Sequence, residues 1–224
     1  MFREFLKFLL WIGGAVGIVV AILRIWFVDI VVVGDDGMMP TIFPGDTVAI
    51  WRRSTPGLGD VTLCENPSAP GIHTVSRVLA MPGDTVEILG DQSAARSGVQ
   101  VASAHSQPPR FAINRHPVDY DSNGTRSMPD PTTGQPREYA YKREMLGNNP
   151  HDIFGDPRGR FWIPETRAEN GYYLLGDNRT NHSFDSRSFG VVPIETCHGI
   201  VIARVKPGLI SANDVPHSWG DLIR

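Results

Sequence analysis

The chain has 224 residues, 41% of them hydrophobic, enough for one domain with a sizeable core. Its net charge of −3 carries no basic excess, so no nucleic-acid partner is expected. The seven histidines are scattered without metal-ligand spacing, and neither a metal nor a cofactor is expected.

The N-terminus is a membrane signal. From Phe8 to Leu23 no residue is charged, and the apolar run resumes through Ile25, Trp26 and Phe27 after Arg24. As a helix, residues 8–27 span about 30 Å, the hydrocarbon thickness of a bilayer. Arg24 sits where its stem snorkels to the headgroups, and Trp11 and Trp26 suit the interfacial belts. Arg3 and Lys7 precede the span, while Asp29, Asp35 and Asp36 follow it. The positive-inside rule therefore predicts a cytoplasmic N-terminus, with everything after residue 30 on the extracytoplasmic side. A cleaved signal peptide would be shorter and end at a small-x-small site. This run ends in Arg-Ile-Trp-Phe-Val-Asp and reads as a retained single-span anchor. The expected units are a cytoplasmic tip and anchor (1–30), a β domain (31–210) and a polar C-terminal tail (211–224).

Directly after the anchor, "VVGDDGMMPTIFPGD" (32–46) has the look of an active-site lip, with Gly37 where a nucleophile would be expected. Met38, Met39, Ile42 and Phe43 are read as an exposed apolar lip for substrate or membrane contact. From there the pattern is β. Short β-branched runs recur between turn signals: "DIVVV", "DTVAIW", "DVTLC", "HTVSRVLA", "DTVEIL", "GYYLLGD" and "GIVIARV". "FPGDTVAI" (43–50) and "MPGDTVEI" (81–88) nearly repeat, and "LGDVTL" (58–63) is a looser version. Proline then glycine predicts a type II turn feeding a strand. Residues 91–164 hold half of the chain's 18 prolines and read as a long, partly irregular insertion. Within it, Glu138 to Leu146 suits a strand or helical turn. Cys64 and Cys197 each lie in an apolar, strand-like context that reads as a buried free thiol; an extracytoplasmic domain would permit a disulfide.

"YLLGDNRTNHSFDSRSFGVV" (173–192) sets Asp177, Arg179, Asp185 and Arg187 on one Gly- and Asn-rich stretch. Arg–carboxylate forks are planar and directional, so they pin loops at defined angles. At this point nearly the whole chain resembles the type I signal peptidases, membrane-anchored proteases that remove leader sequences from exported proteins. The resemblance rests on the anchor, "GMMPT…PGD", "GLGDVTL", "SRVLAMPGDTVEI", a variable insertion and "GDNR…S-x-DSR-x-FG". The last motif has one residue more than usual between "GDNR" and "DSR". The resemblance implies a mostly β domain with a substrate groove beside the membrane. It implies peptide contacts at Met38, Met39 and Pro40, and structural support from Arg77, Asp177, Arg179, Ser183, Asp185 and Arg187. No cofactor is implied.

The same resemblance exposes what is missing. The family needs a serine nucleophile and a neutral lysine base, whose pKa a low-dielectric pocket depresses. The serine's position is Gly37, the lysine's is Ser76, and the hydroxyl that helps bind the oxyanion is replaced by Asp35. Glycine has no atom to attack a carbonyl, and serine is no base near neutral pH. A carboxylate at position 35 would repel the developing oxyanion, where loss of one donor alone costs about 100- to 1000-fold. Substitutes are few. Lys7, Lys142 and Lys206 lie far from the lip in sequence, and His73 is an odd number of residues from Ser76, hence on the opposite strand face. Ser76 with Ser183 nearby lacks a base, and adjacent Asp35 and Asp36 point apart. The expectation is a non-catalytic homologue that binds exported preproteins or peptides, with the bilayer as its other partner. The alternative is a working serine endopeptidase with a rearranged catalytic pair.

Overall fold

The structure, a computed structural model, describes residues 2–90, 110–131, 133–147, 149–157, 161–181, 183–210, 215 and 217–223. The apolar N-terminus is one helix, α1 (Phe2–Trp26). Its stretch Phe2–Arg24 has mean hydropathy 2.3 and is uncovered by the rest of the chain, so it is long and apolar enough to cross a membrane. The joint to the next element is short and held. The Arg24 guanidinium donates to the Val28 carbonyl at 2.7 Å, and the Arg52 N–H to the Phe27 carbonyl at 2.9 Å.

The remainder is β. After β1 (Val28–Val32) come β2 (Thr47–Trp51), β3 (Val61–Glu65), β4 (His73–Ala80), β5 (Thr85–Leu89), β6 (Arg110–Ile113) and β7 (His116–Pro117). Next are β8 (Asp119–Pro129), β9 (Pro136–Leu146), β10 (Asn149–Gly155), β11 (Thr166–Arg167) and β12 (Gly171–Leu175). A one-turn helix, α2 (Ser186–Phe189), precedes β13 (Val192–Pro193) and β14 (Cys197–Lys206). Each β-branched run singled out in the sequence is a strand. The main sheet has seven strands in the order β1-β2-β14-β3-β4-β12-β13, and β11-β5-β6-β7 forms a second sheet. β3, β4 and β12 are nearly continuous buried runs because both of their faces are covered.

The repeated turns show why aspartate follows glycine. Gly45, Gly59 and Gly83 all take positive φ, between +85° and +96°. The aspartate three residues after each turn's start bonds back to it twice. Its N–H donates to the first carbonyl (Asp46 to Phe43, Asp60 to Gly57, Asp84 to Met81, 3.0–3.1 Å). Its carboxylate accepts the first N–H at 2.8–3.0 Å. Each turn is thus closed by backbone and side chain together, which fixes the register of the strand that follows.

Two expectations are corrected. Cys64 and Cys197 are not free thiols but a disulfide, formed between residues directly paired across β3 and β14. The insertion is less irregular than its prolines suggest. From residue 110 it is largely strand, and β10-β9-β8 forms a third sheet with Glu138–Leu146 inside β9. Its prolines stand at strand starts and ends (Pro117, Pro129, Pro136), where a missing N–H costs little. Residues 91–109 of the insertion lie outside the described residues, as do 211–214 of the tail. The described end of the tail is tied down: Leu222 bridges Ala203, and Asp221 pairs with Arg204 at 2.6 Å.

The disulfide closes a loop of 133 residues, so it constrains the unfolded chain strongly. Denatured without reductant, the protein should titrate no free thiol, and after reduction it should titrate two. Cys64→Ala combined with Cys197→Ala should lower stability by about 2–5 kcal/mol in chemical denaturation. Two thiols in the unreduced protein would return the reading to free cysteines.

Candidate functional site

The site is built from four segments that meet around one buried ion pair. Arg77 on β4 and Asp177, just after β12, form a two-pronged fork at 2.7 and 2.8 Å, both side chains fully buried. Arg77 also donates to the Gly59 carbonyl at 2.7 Å, and the Thr41 hydroxyl donates to Asp177. The fork therefore joins the 57–60 turn, β4, the lip and the loop after β12. Burial alone would raise the Asp177 carboxyl, but Arg77, with His151 and the Thr41 hydroxyl, outweighs it and lowers the pKa.

The lip is then fastened by backbone. The Asn178 N–H donates to the Gly37 carbonyl at 2.9 Å, and its side-chain amide donates to the Asp36 carbonyl at 3.0 Å. Gly176 makes this approach possible, since a Cβ there would lie 2.4 Å from the Gly37 oxygen. Asp36 accepts from the Asn181 amide and Asp35 from the Gly37 N–H, so the adjacent acids share no proton. The other motif residues are structural. Asp185 caps α2, accepts the Gly176 N–H at 3.2 Å and takes a fork from Arg187. Arg187 reaches on to the Arg179 carbonyl at 2.8 Å.

At the centre, the three vacancies are filled in a specific way. The Asp35 carboxylate accepts the Gly37 N–H at 2.8 Å, and a Cβ on Gly37 would meet that same oxygen at 2.9 Å. Gly37 does not take a positive φ, and the one close neighbour of a Cβ there is the end of the Asp35 side chain, which can turn aside. Phe184 is its other neighbour, with its Cβ 3.6 Å from where a Gly37 Cβ would stand. The Ser76 and Thr74 hydroxyls both donate to the Phe184 carbonyl at 2.9 Å. Phe184 thus stands between Gly37 and Ser76. Burial raises the Asp35 pKa, with the Asp36 charge adding to it and the Gly37 N–H opposing.

The expected substitutes are elsewhere. Lys7 pairs with Glu4, the Lys142 ammonium lies 5.8 Å from the centre of the Tyr120 ring, and Lys206 is exposed at the end of β14. His73 is exposed while Ser76 is buried, the opposite faces expected of their spacing. Ser183 is exposed, with its N–H on the Asn181 side chain at 2.9 Å. The apolar lip is a correction. Met38, Met39, Ile42 and Phe43 are all fully buried, and Pro40 is buried as well. Met38 and Ile42 pack against β2, β3 and β4; Met39 and Phe43 pack against Tyr139, Tyr141 and Phe154 of the third sheet. These residues are core rather than an exposed lip.

The sequence reading missed the insertion's part in the site. Arg179 forks onto Glu144 of β9, and His151 of β10 stands 3.0 Å from Glu144 and 3.9 Å from Asp177. β10 also bonds to the motif loop, Phe154 N–H to the Asp177 carbonyl and Arg179 N–H to the Phe154 carbonyl. The usable signal was a carboxylate at Glu144 inside an alternating strand pattern.

Burial would raise the Glu144 carboxyl, but Arg179 and His151 outweigh it and hold it well below the usual range. A depressed carboxyl stabilises the fold fully above its unfolded pKa, about 4.3, and loses that contribution as pH falls through the folded value. Glu144→Gln should therefore cost about 3–5 kcal/mol at pH 7 by stranding buried Arg179, and the deficit should shrink on acidification below pH 4. Asp35 has the opposite sign. Its raised pKa means ionisation destabilises, so Asp35→Asn should raise the denaturation midpoint at pH 7, and the gain should vanish below the ordinary carboxylate range. Denaturant melts of both variants across pH check the two signs, and equal pH profiles would refute them.

The comparisons match this architecture. The family described as signal peptidase, peptidase S26, matches residues 5–206. The chain is 23% identical to signal peptidase I of Buchnera aphidicola subsp. Baizongia pistaciae over 83% of this chain and 72% of that protein. It is 26% identical to signal peptidase I of Pseudomonas fluorescens over 83% of this chain and 67% of that one. The buried fork, the closed Pro-Gly-Asp turns and a family match over nearly the whole length place this chain in the type I signal peptidase family.

Proposed function

We propose that this protein is a non-catalytic signal peptidase homologue, anchored by α1, that holds extended segments of exported polypeptides without cutting them. The observation that carries the reading is the Asp35 carboxylate on the Gly37 N–H. Acyl transfer needs a nucleophile at this point and free donors aimed at the oxyanion. Here the side chain is absent, and the donor already faces a carboxylate. Ser76 commits its proton to the Phe184 carbonyl, with no lysine or imidazole as a partner among the described residues.

The binding half rests on the sheet edge. β1 runs from the anchor to the lip and pairs only with β2 among the described residues. Its outer edge therefore offers backbone donors and acceptors to an extended chain, in the manner of strand addition. Beyond that edge the Asp36 and Gly37 carbonyls are taken by Asn178 and the Gly37 N–H by Asp35, so a bound segment would pair along β1 and stop short of Gly37. The extracytoplasmic side is supported by Arg3 and Lys7 ahead of the span and by the Cys64–Cys197 disulfide, a bond of oxidising compartments. Binding without turnover suits scaffolding or assembly of exported and surface proteins.

The test is cleavage of a preprotein with small residues at −3 and −1 by the detergent-solubilised chain, beside an active signal peptidase. The natural protein should yield no shortened product while retaining the precursor on crosslinking. Gly37→Ser alone should stay inactive, because the Ser76 hydroxyl is no base for the new serine. Asp35→Ser, Gly37→Ser and Ser76→Lys together should recover measurable cleavage. Specific cleavage by the natural chain that disappears in Ser76→Ala would instead establish a working endopeptidase with a rearranged site.

A further inference from the structure

Two histidines that the sequence separates by 125 positions meet on the main sheet. His73 opens β4 and His198 lies on β14, with β3 between their strands. Their Nε2 atoms are 3.3 Å apart, with ring centroids 5.1 Å apart and planes tilted by 48°. Both residues are exposed. They lie outside the candidate site and make no contact with Gly37 or Ser76.

The backbone behind His198 is built to hold this aim. Between Cys197 and Ile200, β14 carries one residue more than β3, a bulge of the kind that redirects a side chain. The bulge is locked on one side by the Cys64–Cys197 disulfide, one residue from His198. On the other side is Gly199, at φ +109°, where a Cβ would lie 2.2 Å from the Trp51 carbonyl oxygen. The buried Thr62 hydroxyl donates to the Gly199 carbonyl at 2.7 Å. His73 is set by a regular ladder pair with Glu65.

We propose that His73 and His198 form an exposed two-histidine site for a divalent transition-metal ion of the zinc, nickel or copper class. Two nitrogens bound at about 2.0–2.1 Å to a tetrahedral ion stand about 3.3–3.4 Å apart, which is the separation observed. Imidazole nitrogens suit these ions, whereas magnesium and calcium take oxygen ligands. Among the described residues no third histidine, cysteine or carboxylate completes the group, so water fills the remaining positions. A bound ion would tie β4 to β14 over β3, reinforcing the end of the sheet where the disulfide already joins β3 to β14. A plain N–H···N contact between neutral rings is the competing account of the same distance.

The experiment is calorimetric titration of the tag-free, chelator-stripped full chain in detergent with Zn²⁺ and Ni²⁺, with Mg²⁺ as the blank. One equivalent of Zn²⁺ or Ni²⁺ should bind saturably. His73→Ala or His198→Ala should each weaken binding by no less than the 10- to 100-fold that even outer-shell partners are worth. His116→Ala, another exposed histidine, should bind as the natural chain does. Diethyl pyrocarbonate labelling of the unaltered protein is the second readout: Zn²⁺ should shield His73 and His198 and leave His116 reactive. No saturable equivalent, equal binding in the double variant, or unaltered labelling of both histidines would each overturn the site and leave only a hydrogen bond.

Discussion

The fork between Arg77 and Asp177 is the constraint on which the site depends. Two full charges without solvent are costly, and burying them is tolerable only when every polar edge is satisfied. Here Arg77 is met by Asp177 and the Gly59 carbonyl, and Asp177 by Arg77 and the Thr41 hydroxyl. Because those partners come from separate parts of the chain, the pair can be satisfied in only one arrangement of turn, strand, lip and loop. Hydrophobic burial alone would tolerate small slips among these segments; a planar guanidinium on a carboxylate does not.

Around that pair the other charges extend the same logic outward. Asp177 is near His151, His151 near Glu144, and Glu144 carries the fork from Arg179. Arg179 in turn offers its carbonyl to Arg187, which forks onto Asp185. The chain of contacts runs from the main sheet into the third sheet and back, so the insertion is an integral wall of the site. None of it involves Gly37, Ser76 or Asp35. The ion-pair scaffold is therefore separate from these three residues, which can change without removing any of its links.

Much of this was legible in the sequence for a physical reason. Strands with period-2 or continuous β-branched patterns, the uncharged N-terminal run and the Pro-Gly-Asp turns are local signals, and each appears where it was read. Gly37, Ser76 and Asp35 were singled out because flanking residues on both sides resemble a family pattern, and the fold brings the three together around Phe184 and the lip. Three things were hidden because they are non-local. Cys64 and Cys197 pair only once β3 and β14 are neighbours, and His73 meets His198 for the same reason. The lip's apolar residues looked exposed beside a membrane span, yet Met39 and Phe43 are buried by a sheet whose proline-rich sequence suggested loop. Proline content misled there because those prolines occupy strand ends.

The relation among the three altered positions is itself informative. The Asp35 carboxylate accepts the Gly37 N–H, and a Cβ at 37 would require that side chain to turn aside. On the other side, Phe184 lies against Gly37 and accepts the Ser76 hydroxyl through its carbonyl. Aspartate at 35, glycine at 37, serine at 76 and the loop that presents Phe184 therefore fit one another. A nucleophile deleted from an otherwise unchanged site would leave a void and free donors. This centre has neither at these positions: its polar groups are paired and the space beside Gly37 is bounded by side chains. The outer edge of β1, unpaired among the described residues, leads to this packed centre.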